Sequence, residues 1–224
     1  MRFLSFDVGV KNLGYCVIVD SYRDGDDVIY VESWGVLDIS VCVDDSDSKT
    51  KTKTKPSLSD GTMKILETLE ENFGSEGLEF DHVVIENQPC LKNPTMKTVQ
   101  ITIFTYFHIL RMQMQENGGK SKSKIGEICM ANASNKLKIG ALLDHNHKSE
   151  ELVEWESKPK KYNRTKKLSV LYTKHIIENN EEMKIRFNND CLEAFNEKKK
   201  QDDMSDALLQ ILVHRHRHYK LFCT

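Results

Sequence analysis

Two aspartates near the end of the chain are the residues best suited to chemistry. Asp203 and Asp206 precede an apolar run, residues 207–213, which predicts a buried helix that begins near residue 203. Residues three apart share a helix face, so both carboxylates should point at one spot. Like charges so close together are costly unless a cation lies between them, and oxygen ligands suit Mg²⁺ or Mn²⁺.

Two more acids stand at the ends of predicted strands. Asp7 comes where a first apolar strand should meet a turn, with residues 15–19 as the second arm of a hairpin. Glu86 ends the short apolar run 83–85, which is typical of a buried strand. The four acids can meet only through folding. Taken singly, Asp7 could instead cap a turn and Glu86 could be an exposed charge at a strand end.

The remaining pattern predicts an α/β protein in which a hairpin leads into a mixed five-stranded sheet flanked by helices. A third strand is expected within residues 28–41 and a fifth at about 125–130. Apolar residues at helical spacing predict helices at about 61–73, 95–116, 133–143 and 164–179, before the last helix near 203.

Length and composition favour one domain over residues 1–224, since 39% of the 224 residues are hydrophobic. The polar, low-complexity stretch at about 44–60 cannot form a core and predicts a flexible insertion. The sequence contains no run of 18 uncharged apolar residues, which is the length needed to span a membrane. The start of the sequence shows no secretion signal, and six cysteines without CxxC or Cys/His spacing predict reduced thiols in an intracellular protein, not a zinc site.

Positive charge is unevenly spread, although the net charge is only −2. Residues 158–174 carry seven basic residues and no acid, which favours an oriented contact with a polyanion such as DNA over a merely solvated surface. The His/Arg-rich segment 214–218 could contact metal or DNA, but a solvated end is the more typical reading. The candidate DNA-binding residues are Lys97, Lys160, Lys161, Arg164 and Lys166.

Together these motifs resemble the RNase H-like superfamily, and within it the RuvC-type Holliday-junction resolvases. The similarity rests on an acid on the first strand, one at the end of the fourth, and a pair three apart on the last helix, here Asp7, Glu86, Asp203 and Asp206. Three phrases are similar to the resolvases of poxviruses and related large DNA viruses, at 85–89, 93–97 and 202–206. The insertion and the long segment between 167 and 203 depart from that pattern.

The resemblance implies a homodimer that binds four-way DNA junctions and nicks two opposing strands, in recombination or in processing of replication intermediates. It implies two Mg²⁺ ions per active site, replaceable by Mn²⁺, with Asp7 bridging, Glu86 on one ion, and Asp203 and Asp206 on the other. It also implies a lysine at the scissile phosphate, Lys167 by preference and otherwise Lys166. For a virus of the poxvirus kind, the expected compartment is the host cytoplasm.

Other functions remain open on the residues alone. A related metal nuclease could cut RNA–DNA hybrids or act as a transposase-type enzyme. A sugar-kinase or actin-like ATPase would need two such domains, and a non-catalytic DNA-binding module would not need four converging acids. The predicted helix at 95–116 has a wide apolar surface, which predicts a dimer with Phe104 and Met112 as partner contacts. The alternative is that one chain covers both faces.

Overall fold

The computed structural model describes residues 1–23, 26–41, 57–74, 79–91, 93–116, 124–143, 147–159 and 161–222. Lys160 and residues 44–56 of the predicted insertion lie outside these ranges. The strands are β1 Arg2–Asp7, β2 Asn12–Arg23, β3 Asp26–Asp38, β4 Glu79–Asn87, β5 Lys124–Asn132 and β6 Ile185–Phe187. The helices are α1 Leu58–Phe73, α2 Pro94–Glu116, a 3-10 helix Ala133–Ala141, α3 Glu150–Ser157, α4 Tyr162–Glu178, α5 Asn189–Glu197 and α6 Asp202–Phe222.

The strands form one mixed sheet in the order β5-β4-β1-β2-β3-β6. β1, β2 and β3 are antiparallel neighbours, whereas β4 runs parallel to β1, β5 parallel to β4, and β6 parallel to β3. The predicted α/β class with a hairpin feeding a mixed sheet is confirmed, but the count of five strands is wrong. β6 has only three residues, too few for an alternating pattern to be visible in the sequence.

Successive residues of a strand point to opposite sides of the sheet, so its apolar side chains form a core on each face. Helices cover both faces. Phe3 and Ile18 pack into a core shared with α4 and α6. Leu4 and Phe6 pack into a second core shared with α1 and α2. In α6 the apolar run 207–213 is buried throughout, so this helix lies in the interior of the first layer.

Helix α1 begins earlier than the sequence pattern suggests. Ser57 accepts a hydrogen bond from the backbone N–H of Asp60 at 3.1 Å, and the Ser57 N–H donates to the Asp60 carboxylate at 3.2 Å. This reciprocal capping box fixes the first turn. Residues 57–60 therefore belong to a helix and not to the predicted insertion. Among the helices described, none is long and apolar enough to cross a membrane.

Candidate active site

Three acids from different elements meet around one ammonium group. Strands β1 and β4 are parallel neighbours, with Phe6 opposite Ile85, so Asp7 and Glu86 come to the same end of the sheet. The Nζ atom of Lys136, in the 3-10 helix, donates to Asp7 Oδ1 at 3.2 Å and to Glu86 Oε1 at 3.1 Å. It also donates to Oδ2 of Asp206 on α6. The structure thus brings together three of the four predicted acids.

Helix α6 is held against the sheet one turn beyond Asp206. The side-chain amide of Gln210 is buried and donates to Ser5 Oγ at 3.0 Å and to the Phe6 carbonyl at 3.1 Å. Because a buried amide must find partners, these bonds fix the register of α6 on β1. The Asp206 carboxylate is therefore placed over the end of β1.

Gly14 lets the first turn of α6 approach the sheet. It pairs with Asp7 across the β1–β2 hairpin, and a Cβ atom there would lie 2.3 Å from the Asp203 carbonyl oxygen. Asp203 therefore lies beside the acids but does not bind Lys136. Its carboxylate accepts hydrogen bonds from Lys200 at 3.0 Å and from the Asn12 amide at 3.3 Å. The fourth predicted ligand is at the same end of the sheet, with partners of its own.

Burial dominates the electrostatics of this group. It raises the pKa of Asp7 well above its usual range, Lys136 opposes the rise, and Glu86 and Asp206 add to it. Burial likewise raises the pKa of Asp206, again against the effect of Lys136. For Lys136, burial acts to lower the pKa, but the three carboxylates outweigh it and raise the pKa above its usual value. One ammonium cannot neutralise three carboxylates, so the group retains an affinity for further positive charge.

Sequence analysis did not identify Lys136 as a candidate site residue. In the structure its side chain is only 7% exposed, which is unusual for a lysine. Its acidic partners lie 50 to 129 residues away, so no local charge pattern marks it. One pattern in the sequence could have identified it. Lys136 precedes Ile139 and Leu143, both buried, by three and seven residues, which places a lysine on the apolar face of a helical segment.

The end of β4 is braced by side-chain amides. Gln88 Nε2 donates to Glu86 Oε2, and the Gln88 backbone N–H donates to Gln100 Oε1 at 2.8 Å. Lys97, a predicted DNA contact, donates to the same Gln100 oxygen at 3.0 Å and to Asn87 Oδ1 at 3.2 Å. Its ammonium therefore lies at the strand end next to the acids, where it also stabilises the loop.

The two candidate lysines on α4 point to different neighbours. Lys166 pairs with Asp202 in the first turn of α6 and lies 5.0 Å from the Tyr162 ring centroid. Lys167 instead pairs with Glu151 of α3 at 2.7 Å, at an exposed position. Consecutive helix residues are about 100° apart, so only one can face α6. Lys166 faces the first turn of α6, whereas Lys167, the residue preferred from the sequence, faces α3.

The basic segment is less free than its sequence suggests. Arg164 donates from Nε to the Trp155 carbonyl at 2.9 Å and from a terminal nitrogen to the Glu156 carbonyl at 2.7 Å, so it caps the last turn of α3. Lys158 pairs with Glu154 at 2.7 Å. Of the predicted DNA contacts in this segment, Lys161 is exposed, Arg164 serves a structural contact, and Lys160 lies outside the described ranges.

Comparison with known proteins gives few relatives by sequence and clear ones by fold. No family model matches the chain. It is 34% identical over 148 residues to the uncharacterized protein L451 of Acanthamoeba polyphaga mimivirus, a match that covers 66% of this chain and 31% of that protein. The chain thus spans about a third of the length of the curated relative it matches.

Two solved structures share the architecture over almost the whole chain. The yeast mitochondrial Holliday junction resolvase Ydc2 superposes with a TM-score of 0.55 at 19% identity, covering 99% of this chain and 84% of that one. The fowlpox virus resolvase, solved with its Holliday junction substrate, gives 0.50 at 16% identity, covering 97% and 98%. The chain shares the fold of these two resolvases, as its sequence motifs predicted.

Proposed function

We propose that this chain is a structure-selective endonuclease that resolves four-way DNA junctions by metal-dependent hydrolysis of two opposing strands. The observation that carries the proposal is the convergence of Asp7, Glu86 and Asp206 at one end of a resolvase-type sheet, around a single cation-binding point. A module that only bound DNA would have no reason to bury three carboxylates together, because mutual repulsion and desolvation oppose their ionisation.

The donor set fits a hard divalent ion. All donors are carboxylate oxygens, which Mg²⁺ and Mn²⁺ prefer. Oδ1 of Asp206 is buried and accepts no hydrogen bond of normal geometry among the described residues, although the Ser169 hydroxyl lies close to the same carboxylate. Its lone pairs are therefore suited to a cation. We assign Asp7, Glu86, Asp203 and Asp206 to two Mg²⁺ ions, with Mn²⁺ as a substitute. Two bound ions would supply an activated water and stabilise the leaving oxygen.

Lys136 takes the role of an internal counter-ion in this proposal. Its ammonium binds the same carboxylate oxygens that a divalent ion needs, so the two compete for one position. A lysine there limits repulsion among the acids and keeps their side chains oriented. With a divalent ion held by the same carboxylates, Lys136 would supply positive charge beside the site.

Lys166 is our candidate for the lysine that reaches the scissile phosphate. Lys166 and Lys200 both contact Asp202 in the first turn of α6. Lys166 pairs with one carboxylate oxygen of Asp202, and the Lys200 ammonium lies 3.6 Å from the other. Both ammonium groups therefore lie at the N-terminus of α6, close to the acids. Exposed Lys161, at the start of α4, together with Lys97 and Lys160, would contact the DNA backbone, a type of contact that makes binding salt-dependent.

Symmetric nicking of a two-fold symmetric junction favours two active sites related by an axis, so we propose a homodimer. The exposed side of α2 carries Ile101, Ile109 and Met112, at 44%, 49% and 59% exposure. Ile101 and Ile109 line a groove between α1 and α2 that also includes Thr105 and Leu66. Phe104, predicted as a partner contact, is half-buried against the second core and is replaced in that role by Ile101 and Ile109.

The biological setting follows from the same proposal. We take residues 1–224 as one nuclease domain with an insertion at about 44–56, acting inside cells on recombination or replication intermediates. The mimivirus relative favours a viral role, in the compartment where viral DNA replicates, which is the cytoplasm for a poxvirus-like virus.

The deciding experiment is incubation of the protein with a synthetic immobile four-way junction and Mg²⁺, followed by mapping of the nicks. Paired nicks at symmetric positions on opposing strands would support resolution. Cleavage of an RNA–DNA hybrid but not of the junction would instead identify a hybrid nuclease. Binding without cleavage under Mg²⁺ or Mn²⁺ would leave only the DNA-binding module, and strand transfer would indicate transposase-type chemistry.

A further inference from the structure

A second group of ligand-type side chains lies at the opposite end of α6 from the acids. His82 on β4, Glu127 on β5 and His218 on α6 each offer one ligand atom, and these atoms all lie within 4.8 Å of one another. His218 follows Asp206 by twelve residues, or ~18 Å along a helix at 1.5 Å per residue. The group therefore lies well away from the proposed nuclease site.

The sheet and the core fix the positions of these side chains. His82 and Glu127 are partners in the parallel pairing of β4 with β5, so they project from the same face. The His82 ring stacks on Phe3 with centroids 4.8 Å apart and only 9° between the planes. The His218 ring meets the His82 ring edge-on, with centroids 4.3 Å apart and 69° between the planes. One ligand is thus rigid, while the other two approach it from a neighbouring strand and a packed helix.

The bonding of His82 is unusual for a buried imidazole. Its Nδ1 atom lies 3.1 Å from Glu127 Oε2, yet it makes no hydrogen bond of normal geometry within the described part of the chain. The His82 side chain is 6% exposed and that of Glu127 is 58% exposed. An imidazole nitrogen is a common ligand of transition metals.

We propose that His82, Glu127 and His218 bind a Zn²⁺-class transition-metal ion. Two imidazole nitrogens and one carboxylate oxygen, with water as the fourth ligand, form a common tetrahedral set. Ligand atoms at bonds of ~2.0–2.1 Å are ~3.4 Å apart in such a site. His82 and Glu127 already meet this spacing, and rotation of the half-buried His218 side chain brings in the third ligand.

Such an ion would join three elements, two of which also carry nuclease acids. β4 bears Glu86 four residues after His82, and α6 bears Asp206 at its other end. The ion would tie the last turns of α6 to the sheet and so stabilise the helix that positions Asp206. The cysteine spacing argued against zinc, but these ligands are separated by 45 and 91 residues, so spacing could not reveal them.

Titration of the untagged full chain with Zn²⁺, followed by calorimetry in excess Mg²⁺, tests the proposal. We expect one tight site and a melting temperature that rises with Zn²⁺ concentration, because an ion bound only by the folded state stabilises it. Loss of even an outer contact weakens metal binding ~10–100-fold, so His218→Ala and Glu127→Gln should each lose at least about tenfold. Glu127 is exposed, so its variant tests the site without disturbing the core.

Two control variants separate this site from other sources of binding. His216→Ala removes a histidine from the same helix but outside the group and should leave the affinity unchanged. Asp206→Asn should also retain the tight site, since it alters only the acid cluster. Three results would each overturn the assignment. They are absence of a tight site in the wild type, wild-type affinity in both Glu127→Gln and His218→Ala, and loss of the tight site in Asp206→Asn.

Discussion

The Nζ atom of Lys136 lies 3.1 Å from Oε1 of Glu86, and both side chains are less than a tenth exposed. Fifty residues separate them in sequence, and the same ammonium also binds Asp7 and Asp206. A buried ion pair contributes little when intact, but removing one partner leaves an uncompensated charge. Lys136 and the proposed metal ions therefore stabilise the same three carboxylates, and each should matter most when the other is missing.

Replacement of Lys136 by methionine tests this relation. In EDTA, Lys136→Met should lower the free energy of unfolding by about 3–5 kcal/mol, because three buried carboxylates lose their counter-ion. Mg²⁺ should restore much of that loss, and the variant should bind Mg²⁺ more tightly than the wild type. Urea unfolding with and without Mg²⁺ measures both effects.

Lys138→Met is the matched control, since Lys138 lies on the same 3-10 helix but is exposed. It should change stability by less than about 0.5 kcal/mol, with or without metal. If Lys136→Met were no more sensitive to Mg²⁺ than this control, the counter-ion role would be refuted.

Neutralising the acids should separate cleavage from binding. Asp7→Asn, Glu86→Gln, Asp203→Asn and Asp206→Asn should each abolish nicking of a four-way junction while leaving its binding largely intact. Because a carboxylate is removed from a crowded acidic group, the free energy of unfolding should fall by no more than about 1 kcal/mol, or should rise. Nicking assays, gel shifts and urea titrations measure these effects.

Asp190→Asn, at an exposed position on α5, serves as the control. Normal cleavage by Asp7→Asn would refute the metal site.

The sequence predicted the ends of elements better than it predicted their neighbours. Asp7 and Glu86 follow apolar strand runs, and the parallel pairing of β1 with β4 brings these two acids together. Asp206 lies in the second turn of α6, directly before its apolar run. Lys136 was missed because its partners are brought near only by tertiary packing. The preference for Lys167 over Lys166 rested on a resemblance, and a shift of one residue turns a helical side chain by about 100°. The sequence alone therefore could not tell which of the two lysines faces α6.

The two lysines on α4 should differ in their effect on the chemical step. Lys166→Ala should lower the single-turnover cleavage rate by more than it weakens junction binding, because a contact to the reacting phosphate acts on the transition state. Lys167→Ala, which breaks only an exposed pair with Glu151, should leave both nearly unchanged. Rapid-quench rates and binding isotherms on one junction make the comparison. The reverse ranking would return the role to Lys167.

His175 should make stability depend on pH. It is buried on α4, and burial lowers the pKa of its imidazole in the folded protein. Between that lowered pKa and the usual value of about 6.5, the unfolded chain binds more protons, so stability falls as the pH drops through this window. His175→Gln should flatten the pH dependence of the unfolding free energy there. An unchanged slope in His175→Gln would contradict the prediction.

The proposed dimer predicts that a charge on the outer face of α2 will separate the subunits. In an isologous interface each substitution occurs twice, so Ile109→Asp would oppose two like charges in an apolar contact and should produce a monomer. Sedimentation at micromolar concentration measures the change, with Asn189→Asp at an exposed position on α5 as the control for added charge alone. Since Ile109 is 49% exposed within one chain, its replacement should not lower the melting temperature of the isolated subunit. A monomeric wild type would refute the dimer, and an intact dimer in Ile109→Asp would move the interface away from α2.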